Sequence, residues 1–237
     1  MVSIAAFGAL NNDSYDVFAK RIAHHAEEQG VSVNLISAMP YPNARAQSEP
    51  GRPLRSEALQ DEAKKQELFE AVAADARKIG ALKADILAMP CMSMIGFHDG
   101  IEKVLGRDIV RLADALADKY RGVERLGVIH MRPAKKRIEE IFSGRAVTPT
   151  ERQAETLLKA EEKAKADGNP YPVYEAMKEL VEAWRDQGIT HVLFARADAP
   201  KAHLSSAGMV EDMDINNYFD ILAEAVIRKA KEMPDAE

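Results

Sequence analysis

Six short apolar runs, Val2–Gly8, Val31–Ala38, Ala84–Cys91, Asp108–Leu112, Arg125–Met131 and His191–Ala197, recur along the chain with helical patterns between them. Each is short enough to be a strand buried on both faces. Strands of that kind, joined by helices, belong to parallel sheets, because a parallel connection must cross over and the crossing helix covers the sheet. The chain is therefore expected to be an α/β protein. The first helix, Ser14–Gln29, sets Val17, Phe18, Arg21, Ile22 and His25 at helical spacing and stops at Gly30, a residue suited to the left-handed C-terminal cap. A long charged amphipathic helix, Ser56–Lys83, has Leu59, Leu68, Phe69, Val72 and Ile79 for its inner stripe and leads back to the run that ends in Cys91.

A second set of elements starts near Arg125: a strand, helices over Ala134–Phe142, Thr150–Ala166 and Val173–Gln187, and the strand His191–Ala197. This predicts a second α/β lobe. The C-terminal helix, Asn216–Lys231, spaces Tyr218, Ile221, Leu222, Ala225 and Val226 so that it can pack back onto the first lobe. The expected division is 1–118 with 214–237 for the first lobe and 119–213 for the second. The Pro-rich piece Met39–Pro53 is the one clear irregular loop, and long loops in compact domains are often functional.

Composition narrows the function classes. A length of 237 residues, 46% hydrophobic and 30% charged, fits one large α/β domain or two half-size lobes. The net charge of −6 is mixed along the chain, so the basic footprint of a nucleic-acid binder is missing. No segment approaches the roughly 20 apolar residues of a membrane span, and the N-terminus lacks the basic start and apolar stretch of a signal peptide. A single cysteine makes neither an internal disulfide nor a cysteine-based zinc site, which suits a reducing, cytoplasmic compartment.

Ligand sites in parallel sheets gather at the carboxyl ends of strands, here the loops beginning at Gly8, Met89, Ile129 and Phe194. In Met89-Pro90-Cys91-Met92-Ser93-Met94, a strand ends on a proline, presents a cysteine and enters a helix. A helix N-terminus favours the thiolate through its free amides; the alternative is a buried, inert cysteine. Three weaker signals point to ordinary structure. His24-His25 are adjacent and do not share a helix face. Met89, Cys91, Met92 and Met94 are soft donors for Cu(I) in principle, but an apolar methionine-lined pocket is the simpler expectation. Lys135-Lys136-Arg137 with Glu139-Glu140 reads as a solvated helix face.

At the Cys91 turn the chain resembles the aspartate/glutamate racemase superfamily, which includes hydantoin racemases, maleate isomerases and arylmalonate decarboxylase. In that family the third strand ends in a Pro-Cys-Asn-Thr type motif; Pro90 and Cys91 match it, Ser93 replaces the threonine and Met92 the asparagine. The stretches Asp108-Ile109-Val110-Arg111-Leu112 and Arg125-Leu126-Gly127-Val128-Ile129 are similar to the family's following strands in order and spacing. Its second cysteine follows a later strand in a Gly-Cys-Thr-Glu-x-Pro type motif, where this chain has Ala195-Arg196-Ala197-Asp198-Ala199-Pro200.

The resemblance implies two pseudo-symmetric doubly wound lobes with parallel four-stranded sheets, the site in the cleft between them, no cofactor and no metal. It also implies a small carboxylic-acid ligand and pairing into a homodimer. Inversion by the family uses two thiols on opposite faces, and Arg196, which falls on the second position, serves neither as acid nor as base at ordinary pH. What remains is single-cysteine proton transfer of isomerase or decarboxylase type at Cys91, or binding of a small carboxylate without catalysis. Ser93, the amides after Cys91, and Asn11 or Asn12 are candidate oxyanion donors, although Asn11 and Ser14 serve equally as helix caps. Met92 joins Ser93 in the substrate-binding set by motif position. Arg196 is a candidate for holding a carboxylate bidentately, and His130, Arg132, Arg45 and Arg52 for completing an anionic pocket; each arginine alone is an ordinary surface residue.

Overall fold

The computed structural model describes residues 1–7, 12–37, 61–80, 83–130, 135–195 and 210–233. Strands β1 (Val2–Ala6), β2 (Val33–Ser37) and β3 (Ile86–Ala88) form one parallel sheet in the order β2-β1-β3. Strands β4 (Leu126–His130), β5 (Ala146–Val147), β6 (His191–Ala195) and β7 (Asp214–Asn217) form a second, in the order β5-β4-β6-β7, with every pair parallel. The helices are α1 (Asn12–Gln29), α2 (Glu62–Gly80), α3 (His98–Leu105), α4 (Leu112–Lys119), α5 (Lys135–Phe142), α6 (Glu151–Asp167), α7 (Tyr171–Arg185) and α8 (Tyr218–Glu232), with a six-residue 3₁₀ turn at Met92–Phe97.

The period-two alternation of the strands decides which helices lie between the sheets and which lie outside. Val2, Ile4 and Ala6 of β1, Ile86 and Ala88 of β3, Leu126 and Val128 of β4, and Leu193 and Ala195 of β6 share one middle core with α1, α4, α5 and α8. The opposite parity faces outward. Ala5, Phe7, Leu87 and Met89 meet the inner stripe of α2, whereas Ile129, Val192 and Phe194 meet Leu157 of α6 and Val173, Met177, Leu180, Val181 and Trp184 of α7. Both sheets are thus covered on both faces, as their apolar runs require.

Helix α8 contacts α1, α4, β3, β6 and β7 and joins the two halves through the middle core. Its start is capped by Asn217, whose side chain accepts from the Phe219 amide at 2.8 Å. Helix α6 opens on a reciprocal capping box between Thr150 and Gln153 and closes at Gly168, φ +64°. Close approach explains Gly127 in the middle of β4. A side chain there would collide with the ring of Trp184, whose Cζ3 lies 2.7 Å from the position a Cβ would take.

Three features depart from the sequence expectation. The run Asp108–Leu112 is not a full strand: Val110 makes a single parallel bridge to Ala88 and α4 begins at Leu112, since only Ile109 and Val110 offer apolar strand character before the helix. The first sheet therefore has three strands plus this bridge among the described residues. Strands β5 and β7 carry no strand signal in the sequence, because β5 has two residues and β7 reads Asp-Ile-Asn-Asn, with no apolar run. No helix among the described residues is long and apolar enough to cross a membrane.

Candidate functional site

The Cys91 turn is built by a proline and a change of helical period. Beyond the fully buried β3, Met89 and Pro90 are also buried, and the Cys91 amide donates back to the Met89 carbonyl at 2.9 Å. This brings Cys91 out in extended geometry, φ −144° and ψ 113°, as the residue preceding the 3₁₀ turn. Its carbonyl then accepts from the Met94 amide at 3.1 Å. The sequence reading expected a helix here. A six-residue 3₁₀ turn follows and runs directly into α3 at His98, so the amides nearest the thiol have 3₁₀ rather than α-helical geometry.

Three residues per turn make side chains at i and i+3 eclipse, and the turn sorts into three ridges accordingly. Cys91, Met94 and Phe97 enter the outer core of the first sheet. Met92 and Ile95 enter the middle core, and His98 is buried in turn. Ser93 and Gly96, followed by Asp99, keep to the solvent side. Cys91 is 7% exposed. Phe97 is held edge-on by Phe69 of α2, ring centroids 5.6 Å apart, and the same Phe69 ring packs where a Cβ of Gly100 would stand.

His130 ends β4 beside Ala195 of β6 in register, half-buried. By strand parity it lies on the same face as Val128 and Leu126, toward the middle layer, and at the carboxyl end of the second sheet. Ser93 and His130 are thus the described polar candidates, Met92 is a core residue, and Cys91 sits at the carboxyl end of the first sheet. Asn11, Arg45, Arg52, Arg132 and Arg196 lie outside the described residues. The helix begins at Asn12, which takes that asparagine out of the first loop.

A charged cluster that sequence reasoning missed flanks the turn. Arg111, directly after the Val110 bridge, pairs with Glu102 and with Asp99, the latter at 2.7 Å. Glu102 also accepts the Ile109 amide at 3.1 Å. The Arg111 hydrogen bond holds the Glu102 carboxyl below its ordinary range, and Glu102 in turn raises the guanidinium's affinity for its proton. His98, 3% exposed, lies beside this pair with its Nε2 lacking a hydrogen-bond partner among the described residues. Burial first, and the Arg111 charge second, push its pKa down to about 4, so the imidazole is neutral at ordinary pH. Nothing local in the sequence marks these residues, because Glu102 and Arg111 meet only across the loop between α3 and α4. Among the described residues no group of three His, Cys, Asp or Glu side chains is placed to hold a metal ion.

Two halves of parallel sheet around a shared helical layer match the fold of solved structures along nearly the whole chain. An aspartate racemase homologue from Pyrococcus horikoshii superposes with a TM-score of 0.74 at 19% identity, covering 98% of this chain and 100% of that one. This is the aspartate/glutamate racemase fold. The aspartate racemase of Picrophilus torridus shares it at a TM-score of 0.63 and 13% identity, covering 98% and 95% of the two chains. A glutamate racemase from Bacillus anthracis does so at 0.54 and 15%, covering 97% and 81%. No family model matches the sequence, and no curated protein matches it.

Proposed function

We propose that this protein is a cofactor-independent enzyme of the racemase superfamily that acts next to the carboxylate of a small acid by proton transfer through Cys91, as an isomerase or a decarboxylase. The observation that carries the reading is the position of the only cysteine, after a buried strand and proline at the carboxyl end of the first sheet in a racemase fold. In the isomerase branch the Cys91 thiolate would take the α-proton, leaving an enolate, and the thiol so formed would return a proton to that carbon. In the decarboxylase branch loss of carbon dioxide leaves the enolate, the Cys91 thiol would deliver its proton to the α-carbon, and the resulting thiolate would regain one from water. Ser93 and the amides of the turn would donate to the developing oxyanion, with His130, Arg132, Arg196, Arg45 and Asn11 as the polar and cationic candidates for orienting the acid. The same reading carries a cytoplasmic location, from the single cysteine, and a homodimer, from the resemblance.

The burial of Cys91 beside Met94 and Phe97 favours a second reading, a non-catalytic binder of a small carboxylate. Proton NMR of wild type and Cys91→Ser with small substituted malonic, succinic and α-amino acids in heavy water separates the two. The enzyme reading expects α-deuteration or decarboxylation of some acid that the serine variant, melting normally, no longer supports. It also expects no inversion of aspartate or glutamate at about 1 per second or faster. Full activity in Cys91→Ser would end the cysteine-centred reading, and binding without turnover in the wild type would favour the second.

A further inference from the structure

We propose that Arg137 is a positioning residue for the Cys91 turn, a clasp reaching from the second half of the fold onto the first; its relevance to catalysis rests on the reading of Cys91 above. A Cβ at Gly96 would lie 3.0 Å from Arg137 Nη2, 3.3 Å from Nε and 3.5 Å from Cζ. The Nε–Nη2 edge of the guanidinium therefore sits over the bare Cα of Gly96. Its other nitrogen, Nη1, donates to Glu140 Oε2 at 2.5 Å, one turn along α5, which aims the group from its own helix. Both supports are firm: α5 is rooted by Ile138 and Phe142, and the turn by Met92 and Ile95, all in the middle core. Gly96 lies on the same ridge as Ser93, one 3₁₀ turn or about 6 Å farther along. The contact thus bears on the solvent-facing ridge of the turn, whose two other ridges are buried.

A glycine at 96 is what lets the arginine come this close. Its φ is not in the left-handed region, so alanine suits the backbone, and the atoms an added methyl would meet are the end of a flexible side chain. Gly96→Ala should therefore push the Arg137 guanidinium outward by a few tenths of an ångström, loosening its seat, and leave the fold as it is. This makes two ways to weaken one clasp, by removing the arginine or by unseating it.

Cys91 is the only cysteine and is nearly buried, so its alkylation by iodoacetamide under native conditions reports local opening of this turn, at a rate proportional to the open population. Wild type, Arg137→Ala, Gly96→Ala and the double variant are compared at one pH, with melting followed by circular dichroism. Each single variant is expected to label faster, Arg137→Ala by roughly fivefold, the upper end for a surface contact, and Gly96→Ala by less, because it unseats the arginine without removing it. The double variant should label no faster than the faster single, with melting temperatures little changed. Unchanged labelling in either single variant, or rate increases that multiply in the double, overturns the clasp. The measurement needs no substrate. A protein inert toward every acid, yet showing the coupled change in labelling, would sink the proposed reaction and leave the clasp standing.

Discussion

Replacing His98 by leucine removes a buried imidazole that the fold holds neutral. The wild-type pKa falls from 6.5 to about 4 on folding, mainly through burial. The unfolded chain protonates this histidine as pH drops below about 6.5, while the folded chain resists until about 4. The stability tied to the neutral ring is complete above pH 6.5, is lost progressively between 6.5 and 4, and changes no further below that. A displacement of this size corresponds to roughly 3 kcal/mol across the window. Three carboxyls also titrate at the acid end. Glu102 and Asp85, held low by Arg111 and Ser3, add to the loss as pH falls through their folded range, whereas Asp220, raised by burial, works in the opposite direction. The difference between wild type and His98→Leu cancels these contributions to first order. At pH 7.5 the two proteins should agree to within about 1.5 kcal/mol, since an Nε2 with no partner among the described residues is exchanged for an apolar group of similar size. By pH 4 the leucine variant should have gained roughly 3 kcal/mol on wild type. Urea titrations at half-unit steps, followed by circular dichroism and by the single, buried Trp184, measure the difference. Parallel stability curves between pH 6.5 and 4 would refute the reasoning and mean that the imidazole is solvated or paired.

Two further substitutions test the packing around the site. Gly127→Ala drives a methyl into the buried Trp184 ring and should cost about 1–3 kcal/mol or more by overpacking, seen as a lower urea midpoint; an unchanged midpoint would mean that α7 shifts freely. Arg111→Ala strips Glu102 of its charged partner while leaving the Ile109 amide bond. It should cost about 1–3 kcal/mol at pH 7, with the loss shrinking as Glu102 protonates at acid pH, and a pH-independent loss would assign the effect to packing instead.

The alternation of strand and helix, the parallel sheets and the helices α1, α5, α6, α7 and α8 were legible in the amino-acid sequence, because apolar periodicity and caps such as Gly30 and Thr150 act over a few residues. So was the Pro90-Cys91 turn as a strand end. Elements without apolar periodicity were not: β7, with its Asp-Ile-Asn-Asn sequence, is a strand only because β6 offers it a partner. The same holds for the division of roles within the site. The family resemblance made Met92 a ligand contact, yet the 3₁₀ period turns it into the middle core, and Arg137, exposed with its helix face as local sequence expects, also lies against Gly96. His98 and the Arg111–Glu102 pair likewise acquire their chemistry from burial and from neighbours across a loop. Sequence by itself determined which segments are strands and helices wherever the signal lies in one apolar face. The tertiary structure alone decided which side chains meet, because burial, charge pairing and close approach are properties of pairs of elements, and no single segment encodes its partner.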